Sequence, residues 1–106
     1  MFAAIRRDRA IDPIRRDEIA QRLTDGVVPL LSGQDGFVAS YVVIADDGAV
    51  ITVAIFSERE GAHTASHRTA VWVKSHLHSL LPDSADLVFG EIWHGISRMG
   101  HHEIRR

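Results

Sequence analysis

Hydrophobic and polar positions alternate along the first third of the chain in a way that predicts one strand and one helix. Residues 2–9 begin apolar and become charged, and we predict that they form the first strand. Asp12 followed by Pro13 is a helix-start signal, because aspartate caps free N–H groups and proline suits the first helical position. Apolar residues then recur at helical spacing as far as Leu31, and Pro29 predicts a kink or a break.

The middle of the chain predicts a hairpin followed by a second helix. Residues 37–45 and 49–56 are rich in β-branched and aromatic side chains, and the Asp-Asp-Gly turn at 46–48 joins them. Ser57 and Glu60 stand three apart, which matches a capping box. We therefore predict that the second helix begins at this point.

The last part of the chain completes the pattern. The second helix is predicted to end near Leu81, because Pro82 cannot continue it. Residues 87–96 predict a final strand, and the polar residues 97–106 predict a tail outside a domain of residues 1–96. The order β-α-β-β-α-β is the ferredoxin-like α+β arrangement, an antiparallel sheet with two helices on one face.

Both faces of the predicted hairpin are apolar. On the first hairpin strand, Phe37, Tyr41 and Val43 share one face, while Val42 and Ile44 share the other. An antiparallel sheet with one solvated face alternates apolar and polar residues instead. Because two helices cover only one face, we predict that a second copy covers the other, sheet packed on sheet, in a homodimeric α/β barrel.

Composition excludes several classes of function. The chain has 106 residues, 45% hydrophobic and 25% charged, and a formal net charge of -2, which gives no electrostatic argument for a nucleic-acid partner. It has no cysteine, so disulfides, thiolate catalysis and Cys-type metal centres are excluded. No apolar run approaches the roughly 20 residues of a membrane span, and no secretory signal is evident. We expect a cytoplasmic protein with no membrane partner.

The second predicted helix carries four of the seven histidines of the chain. At about 100° per residue, His67 and His78 face solvent and His63 lies at one edge. His63 and His67 are four apart and could share a zinc or copper ion. Exposed pairs without a third ligand are usually only solvated, so we predict no metal site. His101 and His102 fall in the polar tail and are interpreted as incidental.

His76 and Trp72 are also four apart, and they lie at the other edge of this helix, where it is predicted to overlook the sheet. A histidine in that position would be suited to acid–base chemistry, beside an indole that shapes an apolar pocket. The more frequent alternative is a histidine bonded to a backbone carbonyl, with the tryptophan serving as packing.

Two strand residues are further candidates. Tyr41, the only tyrosine, is predicted to face the space between sheet and helices, where its hydroxyl would orient a phenolic substrate, unless it serves only cross-strand packing. Arg6 is charged in an otherwise apolar strand and needs a partner. Glu91 on the last strand is the predicted one, in a structural ion pair, and the alternative is that Arg6 clamps substrate.

These features resemble the dimeric α/β-barrel superfamily that includes the antibiotic biosynthesis monooxygenases. The resemblance spans about 2–96 and is carried by FAAIRR at 2–7, DGF at 35–37, ADDGAVITVAIF at 45–56, SEREGA at 57–62, WV at 72–73 and GEI at 90–92. It implies the fold predicted above. The superfamily contains cofactor-independent monooxygenases, heme-degrading enzymes, isomerases and members with no known activity.

The resemblance also implies a function. It favours a cofactor-independent oxygenase acting on a small aromatic or quinol-type compound, with no bound cofactor. In that reaction His76 or Tyr41 would move the proton, Arg6 would stabilise oxyanion charge, and Trp72 and Phe56 would line the pocket. The alternative is a non-catalytic homodimer that binds a small ligand or has a stress or regulatory role.

Two branches of the superfamily make a sharper test. The heme-degrading branch uses an asparagine on the first strand with a tryptophan and a histidine on the second helix. The aromatic-polyketide branch relies on an asparagine and a tryptophan, with a tyrosine and an arginine. This sequence contains no asparagine, and its first strand reads Ile-Arg-Arg-Asp at 5–8. Both branch assignments are weakened, the heme one most.

Overall fold

The computed structural model describes residues 1–82 and 84–96, and it confirms the predicted order of elements. Their bounds are β1 (Phe2–Asp8), α1 (Arg16–Ser32), β2 (Phe37–Ile44), β3 (Val50–Phe56), α2 (Arg59–His76) and β4 (Asp86–Glu91). The predicted tail 97–106, with His101 and His102, lies outside the described residues, as does Asp83.

The four strands form one antiparallel sheet in the order β2-β3-β1-β4. Each residue in the middle of β1 has a partner on both sides; Ala4, for example, lies opposite Ala54 of β3 and Phe89 of β4. Directly paired residues share a face of the sheet, so this register fixes which side chains lie together. Both helices pack on one face, called here the covered face, and the other is called the open face. The predicted ferredoxin-like α+β fold is confirmed.

The hydrophobic core lies between the helices and the covered face. Helix α1 contributes Ile19, Leu23, Val27 and Leu31, each four residues after the last and each at most 1% exposed. The predicted break at Pro29 does not occur, because the helix continues to Ser32. Val27 and Leu31 are buried on either side of the proline, so core packing holds the last turn despite the missing backbone bond.

The two predicted helix starts have different outcomes. Asp12 is confirmed as a cap: its Oδ1 accepts the Ile14 N–H at 3.1 Å, at the start of a 3-10 turn that leads into α1. The capping box at the second helix is wrong, because Glu58 occupies the cap position with no side-chain hydrogen bond. Ser57 instead donates its N–H to the Gly36 carbonyl at 2.8 Å, so it extends the strand pairing.

A β-bulge in β2 changes the faces that alternation predicts. Phe37 lies opposite Phe56, but Ala39, two residues on, lies opposite Ile55, the neighbour of Phe56, so the register shifts between Phe37 and Ala39. A bulge adds one residue to one strand and reverses the sides that follow. Tyr41, opposite Val53, therefore lies on the open face, and the prediction that it shares a face with Phe37 is wrong.

The ends of α2 and β4 come earlier than predicted. Helix α2 ends at His76 rather than near Leu81, although Leu77, Leu80 and Leu81 stay buried because the following turns fold them under the core. Strand β4 ends at Glu91 rather than at residue 96. The segment after it leaves a large side chain in solvent, since Trp93 is 94% exposed.

The open face is aliphatic and has no cover within the described residues of one protomer. Ile5, Ile51, Val53 and Ile55 are only half-buried there, although they lie in the two central strands. Large side chains on the flanking strands are more exposed, namely Tyr41, Val43 and Val88.

Candidate functional site

A buried ion pair lies on the covered face of the first strand. Arg6 and Asp8 are two residues apart in β1, so strand alternation sends both side chains toward the helices. The Arg6 Nε donates to Asp8 Oδ2 at 2.9 Å, and the Asp8 side chain is fully buried. The predicted pairing of Arg6 with Glu91 is wrong, because Glu91 lies opposite Phe2 at the other end of β1.

A small cavity adjoins Arg6 between the sheet and α2. Besides the arginine, its walls include small and hydroxylated side chains, among them Ala4, Thr52, Ala54, Ser66 and Thr69. Its volume is about 10 Å³, room for roughly one water molecule. The cavity therefore brings the Arg6 cation together with hydroxyl groups in an otherwise apolar layer. Asp8 is not among the walls and is joined to the cavity through its ion pair with Arg6.

Two polar atoms of this cluster have no hydrogen-bond partner within the described residues: Asp8 Oδ1 and Thr52 Oγ1. Thr69 differs, because its hydroxyl donates to the Ala65 carbonyl at 2.8 Å. A buried polar atom without a partner costs about 1–3 kcal/mol. Both atoms therefore keep a hydrogen-bonding position that the surrounding side chains of the described residues do not fill.

The environment of Asp8 changes its acidity. Burial raises the pKa of the Asp8 carboxyl above that of an ordinary aspartate, and it outweighs the hydrogen bond and the charge of Arg6, which lower the pKa. Desolvation disfavours the charged form of any carboxyl group. Asp8 therefore holds a proton more readily than an exposed aspartate and is suited to accept one from a bound hydroxyl group.

His76 is exposed, and Trp72 is half-buried in the helix layer and packs against the hydrophobic core, so the prediction that they overlook the sheet is wrong. The Trp72 indole lies against Gly26 of α1, where an added Cβ would overlap the ring. The His76 ring stacks on it with centroids 4.5 Å apart, and its Nδ1 is 2.9 Å from the Trp72 carbonyl oxygen. The plainer alternative, a histidine bonded to the backbone, is the one observed.

The other predicted site residues also lie apart from the cavity. Tyr41 is 46% exposed on the open face. Phe56 is fully buried in the core and meets Phe37 edge-on, with ring centroids 5.8 Å apart, but it is not among the cavity walls. Among the five predicted site residues, only Arg6 lines the cavity, and the predicted set does not converge within one protomer.

Sequence reasoning missed Asp8, Thr52 and Thr69. A signal for Asp8 was present, because a charge two residues after Arg6 on an apolar strand must share its face. Thr52 had a weaker signal, as the one hydroxyl in the run of β3. The signal for Thr69 was helical spacing, since it stands four residues after Ala65 and four before Val73, and all three are buried.

The exposed histidines of α2 do not form a metal site within the described residues. His67 is exposed, and the His63 ring stacks on Phe89 with centroids 4.4 Å apart. Within residues 1–82 and 84–96, no three His, Cys, Asp or Glu side chains lie close enough together to hold a metal ion. Among the helices of these ranges, none has the length and apolar character to cross a membrane.

Known structures share this architecture closely. A protein of unknown function from Nitrosomonas europaea superposes with a TM-score of 0.74 at 18% identity, over 93% of this chain and 95% of that one. The ActVA-Orf6 monooxygenase of Streptomyces coelicolor gives 0.71 at 20% identity, over 91% and 90%. The chain has the antibiotic biosynthesis monooxygenase fold. The resemblance inferred from sequence is thus confirmed at the level of fold.

A third relative with the monooxygenase fold is SnoaB, a cofactor-independent oxygenase from Streptomyces nogalater. It gives a TM-score of 0.64 at 12% identity, over 90% of this chain and 95% of that one. No protein-family model matches the sequence, and no curated protein matches it either. At these identities the monooxygenase fold is what the comparisons establish, and the chemistry must be argued from the site.

Proposed function

We propose that the protein is a cofactor-independent oxygenase whose substrate, a small aromatic or quinol-type compound, binds beside Arg6 and Asp8. The observation that carries this proposal is the buried Arg6–Asp8 pair with its unpartnered Asp8 Oδ1. Well-packed apolar residues in place of a buried ion pair are often neutral or stabilising, so stability alone does not explain the pair. The fold shared with SnoaB supports the same chemistry.

In the proposed reaction, Asp8 and Arg6 have different roles. Asp8 takes the proton of the substrate hydroxyl, and the Arg6 guanidinium stabilises the oxyanion that forms. The electron-rich ring then reduces dioxygen itself. For a ring methylene the balance is CH₂ + O₂ → C=O + H₂O, in which one oxygen atom enters the new carbonyl and the other leaves as water. The substrate supplies all four electrons, so no external reductant is required.

Substrate entry requires the covered face to open. A cavity of about 10 Å³ does not hold an aromatic ring, so α2 must move away from the sheet as the substrate enters. Its wall on this side is built from Ala65, Ser66 and Thr69, small side chains that give way more readily than interlocked large ones. The Streptomyces coelicolor relative was solved in complex with nanaomycin D, so this fold admits a small-molecule ligand.

The proposal includes a homodimer through the open face. Half-buried isoleucines and valines in the central strands, with Tyr41 and Val88 beside them, form an apolar surface that a second copy would cover. Light scattering over a range of protein concentrations tests this assembly. We expect twice the mass of one chain at micromolar concentration, and a mass of one chain there would contradict the dimer.

Oxygen uptake with a panel of quinols and anthrones tests the enzymatic proposal. We expect turnover by the unmodified protein, a loss of roughly 10²–10³ in kcat for Arg6→Met, and a loss of roughly 10²–10⁴ for Asp8→Asn. Arg9→Met is the matched control, because the Arg9 side chain is 69% exposed and its ion pair is with Asp47, in the turn between β2 and β3. Circular dichroism of each variant confirms that it folds.

The outcomes separate the two classes of function. Turnover that survives Asp8→Asn in a folded protein would remove the proposed base. If no compound is consumed but one of them binds saturably, the non-catalytic ligand-binding alternative replaces the oxygenase.

A further inference from the structure

The outer surface of the helix layer carries a groove that the proposed reaction does not use. It runs between α1 and α2, has a volume of about 310 Å³, and is called here the helix groove. Its walls include Leu30 of α1 and, on α2, His67, Arg68, Val71, Trp72 and His76. This volume lies at the lower end of the range of small-molecule sites, whereas the cavity beside Arg6 is far below it.

One wall of the helix groove is built from a pair of aromatic rings stacked on each other. The Trp72 and His76 rings are nearly parallel, with an angle of 13° between their planes. Because a carbonyl oxygen only accepts, His76 Nδ1 must donate to the Trp72 carbonyl, and this bond fixes the imidazole beside the indole. Gly26 of α1 fixes the indole in turn, since only a residue without a Cβ leaves room for it. A planar ligand would meet a stacked pair whose positions are already fixed.

The charge of the helix groove selects the kind of ligand. Arg68 supplies a permanent cation, and the lining residues, all within the described ranges, include no carboxylate. The interaction the structure shows for the guanidinium is with the neutral amide of Gln34, at the long distance of 3.4 Å from Nη1 to Oε1. Within residues 1–82 and 84–96 the structure shows no carboxylate paired with Arg68, so its guanidinium matches a carboxylate on a ligand, which it can bind with two parallel hydrogen bonds.

From these three features we infer that the helix groove binds a small planar aromatic carboxylate, with its ring against Trp72, His76 and Val71 and its carboxylate on Arg68. This site is independent of the proposed oxygenase reaction, because it lies on the far side of α2 from the cavity beside Arg6. Its failure would leave the oxygenase proposal unchanged, and the reverse also holds.

Proton–nitrogen NMR of the ¹⁵N-labelled chain tests this inference with 2-naphthoate as the probe. The chain has two tryptophans, and Trp93 is 94% exposed on the segment after β4, so its indole N–H signal is an internal control. The variant Trp93→Phe assigns the two signals. We expect a saturable shift of the Trp72 signal and none of the Trp93 signal. 2-Naphthamide, the same ring without the charge, should bind at least about fivefold more weakly.

Two substitutions on α2 separate the role of Arg68 from general attraction to positive charge. Arg68→Gln should weaken 2-naphthoate binding by roughly fivefold or more, whereas Lys74→Gln, which also removes one positive charge from α2 but lies outside the helix groove, should change it less than about twofold. Val71→Glu places an acid at a 54% exposed position of the wall and should weaken 2-naphthoate binding more than 2-naphthamide binding, because both lose the Val71 contact but only the acid is repelled.

Several results would overturn the inference. These are a Trp72 signal that does not move, equal affinities for the acid and the amide, or equal losses in Arg68→Gln and Lys74→Gln. A Trp72 shift that follows protein concentration without ligand would identify a second copy of the chain as the occupant instead.

Discussion

The two faces of the sheet differ in a way that enclosure by the helices does not explain. The covered face, enclosed by helices, holds a buried arginine, a buried aspartate and Thr52 beside the core residues Val50 and Phe56. The open face, which no helix covers, holds isoleucines and valines along the same strands. In β1 the two sets alternate residue by residue, with Ala4, Arg6 and Asp8 on one side and Ala3, Ile5 and Arg7 on the other.

This difference shows that both faces give up stability in the isolated protomer. Apolar burial contributes roughly 25 cal/mol per Å², so an isolated protomer would gain from aliphatic residues in place of Arg6, Asp8 and Thr52 and from a polar open face. Both stability costs have an explanation if the covered face is a chemical site and the open face is an interface.

The largest effect is expected on the covered face. Arg6→Met leaves the Asp8 carboxyl buried beside an apolar side chain and should lower the free energy of unfolding by about 3 kcal/mol or more. The double variant Arg6→Met/Asp8→Val removes both charges and should recover most of that loss. Urea denaturation of the unmodified protein and both variants measures the difference. If the double variant is as unstable as the single one, the pair contributes through its packing rather than its charges.

The second prediction concerns the open face. Val53 lies at the centre of this face, between Ile5 and Tyr41. Val53→Glu would place an unpaired charge within the proposed dimer interface and should raise the dissociation constant of the dimer roughly 100-fold, about 3 kcal/mol. The fold of the protomer should survive. Sedimentation equilibrium measures the association.

A matched control exists for this substitution. Val71→Glu makes the same change on the helix layer, on the other side of the molecule, and should leave association unchanged. If both variants dissociate the dimer equally, or neither does, the open face is not the interface.

The smallest effect compares two aspartates in opposite environments. Burial raises the pKa of Asp8, so its contribution to stability is largest below about pH 3.9 and is lost as pH rises through its folded-state pKa. The Ala49 N–H, first, and then Arg7 and Arg9 lower the pKa of the exposed Asp47, against a smaller opposing effect of desolvation. Its contribution is therefore present above about pH 3.9 and is lost as pH falls.

Unfolding of Asp8→Asn and Asp47→Asn between pH 3 and pH 7 tests these signs. The stability of the unmodified protein relative to Asp8→Asn should fall as pH rises, and relative to Asp47→Asn it should rise. Two slopes of the same sign would mean that Asp8 is not held in a desolvated site.

The order of elements and the buried side of each helix were predictable because they depend on local periodicity. The four-residue spacing from Ile19 to Leu31 placed one side of α1 in the core, as observed. The solvent positions of His67 and His78 followed from the same geometry. The apolar character of both faces of the hairpin was also visible in the sequence, and it motivates the proposed dimer.

The candidate site was less predictable, because each miss depends on a contact between distant segments. The bulge between Phe37 and Ala39 moved Tyr41 to the open face, and nothing in β2 alone indicates that its partner strand is one residue short there. In the antiparallel pairing of β1 with β4, Glu91 lies opposite Phe2 and therefore far from Arg6. The ion-pair partner of Arg6 is Asp8 instead.

The sequence by itself determined the fold, the core and the presence of an apolar surface without a cover, since alternation and helical spacing are properties of neighbouring residues. Only the tertiary structure decided where the chemistry-bearing side chains lie. Gly26 on one helix makes room for Trp72 on the other, and that single contact turns the Trp72–His76 pair outward into the helix groove. A glycine contributes room for a neighbouring side chain. The sequence does not show which side chain that is, because the neighbour is known only once the two segments are packed together.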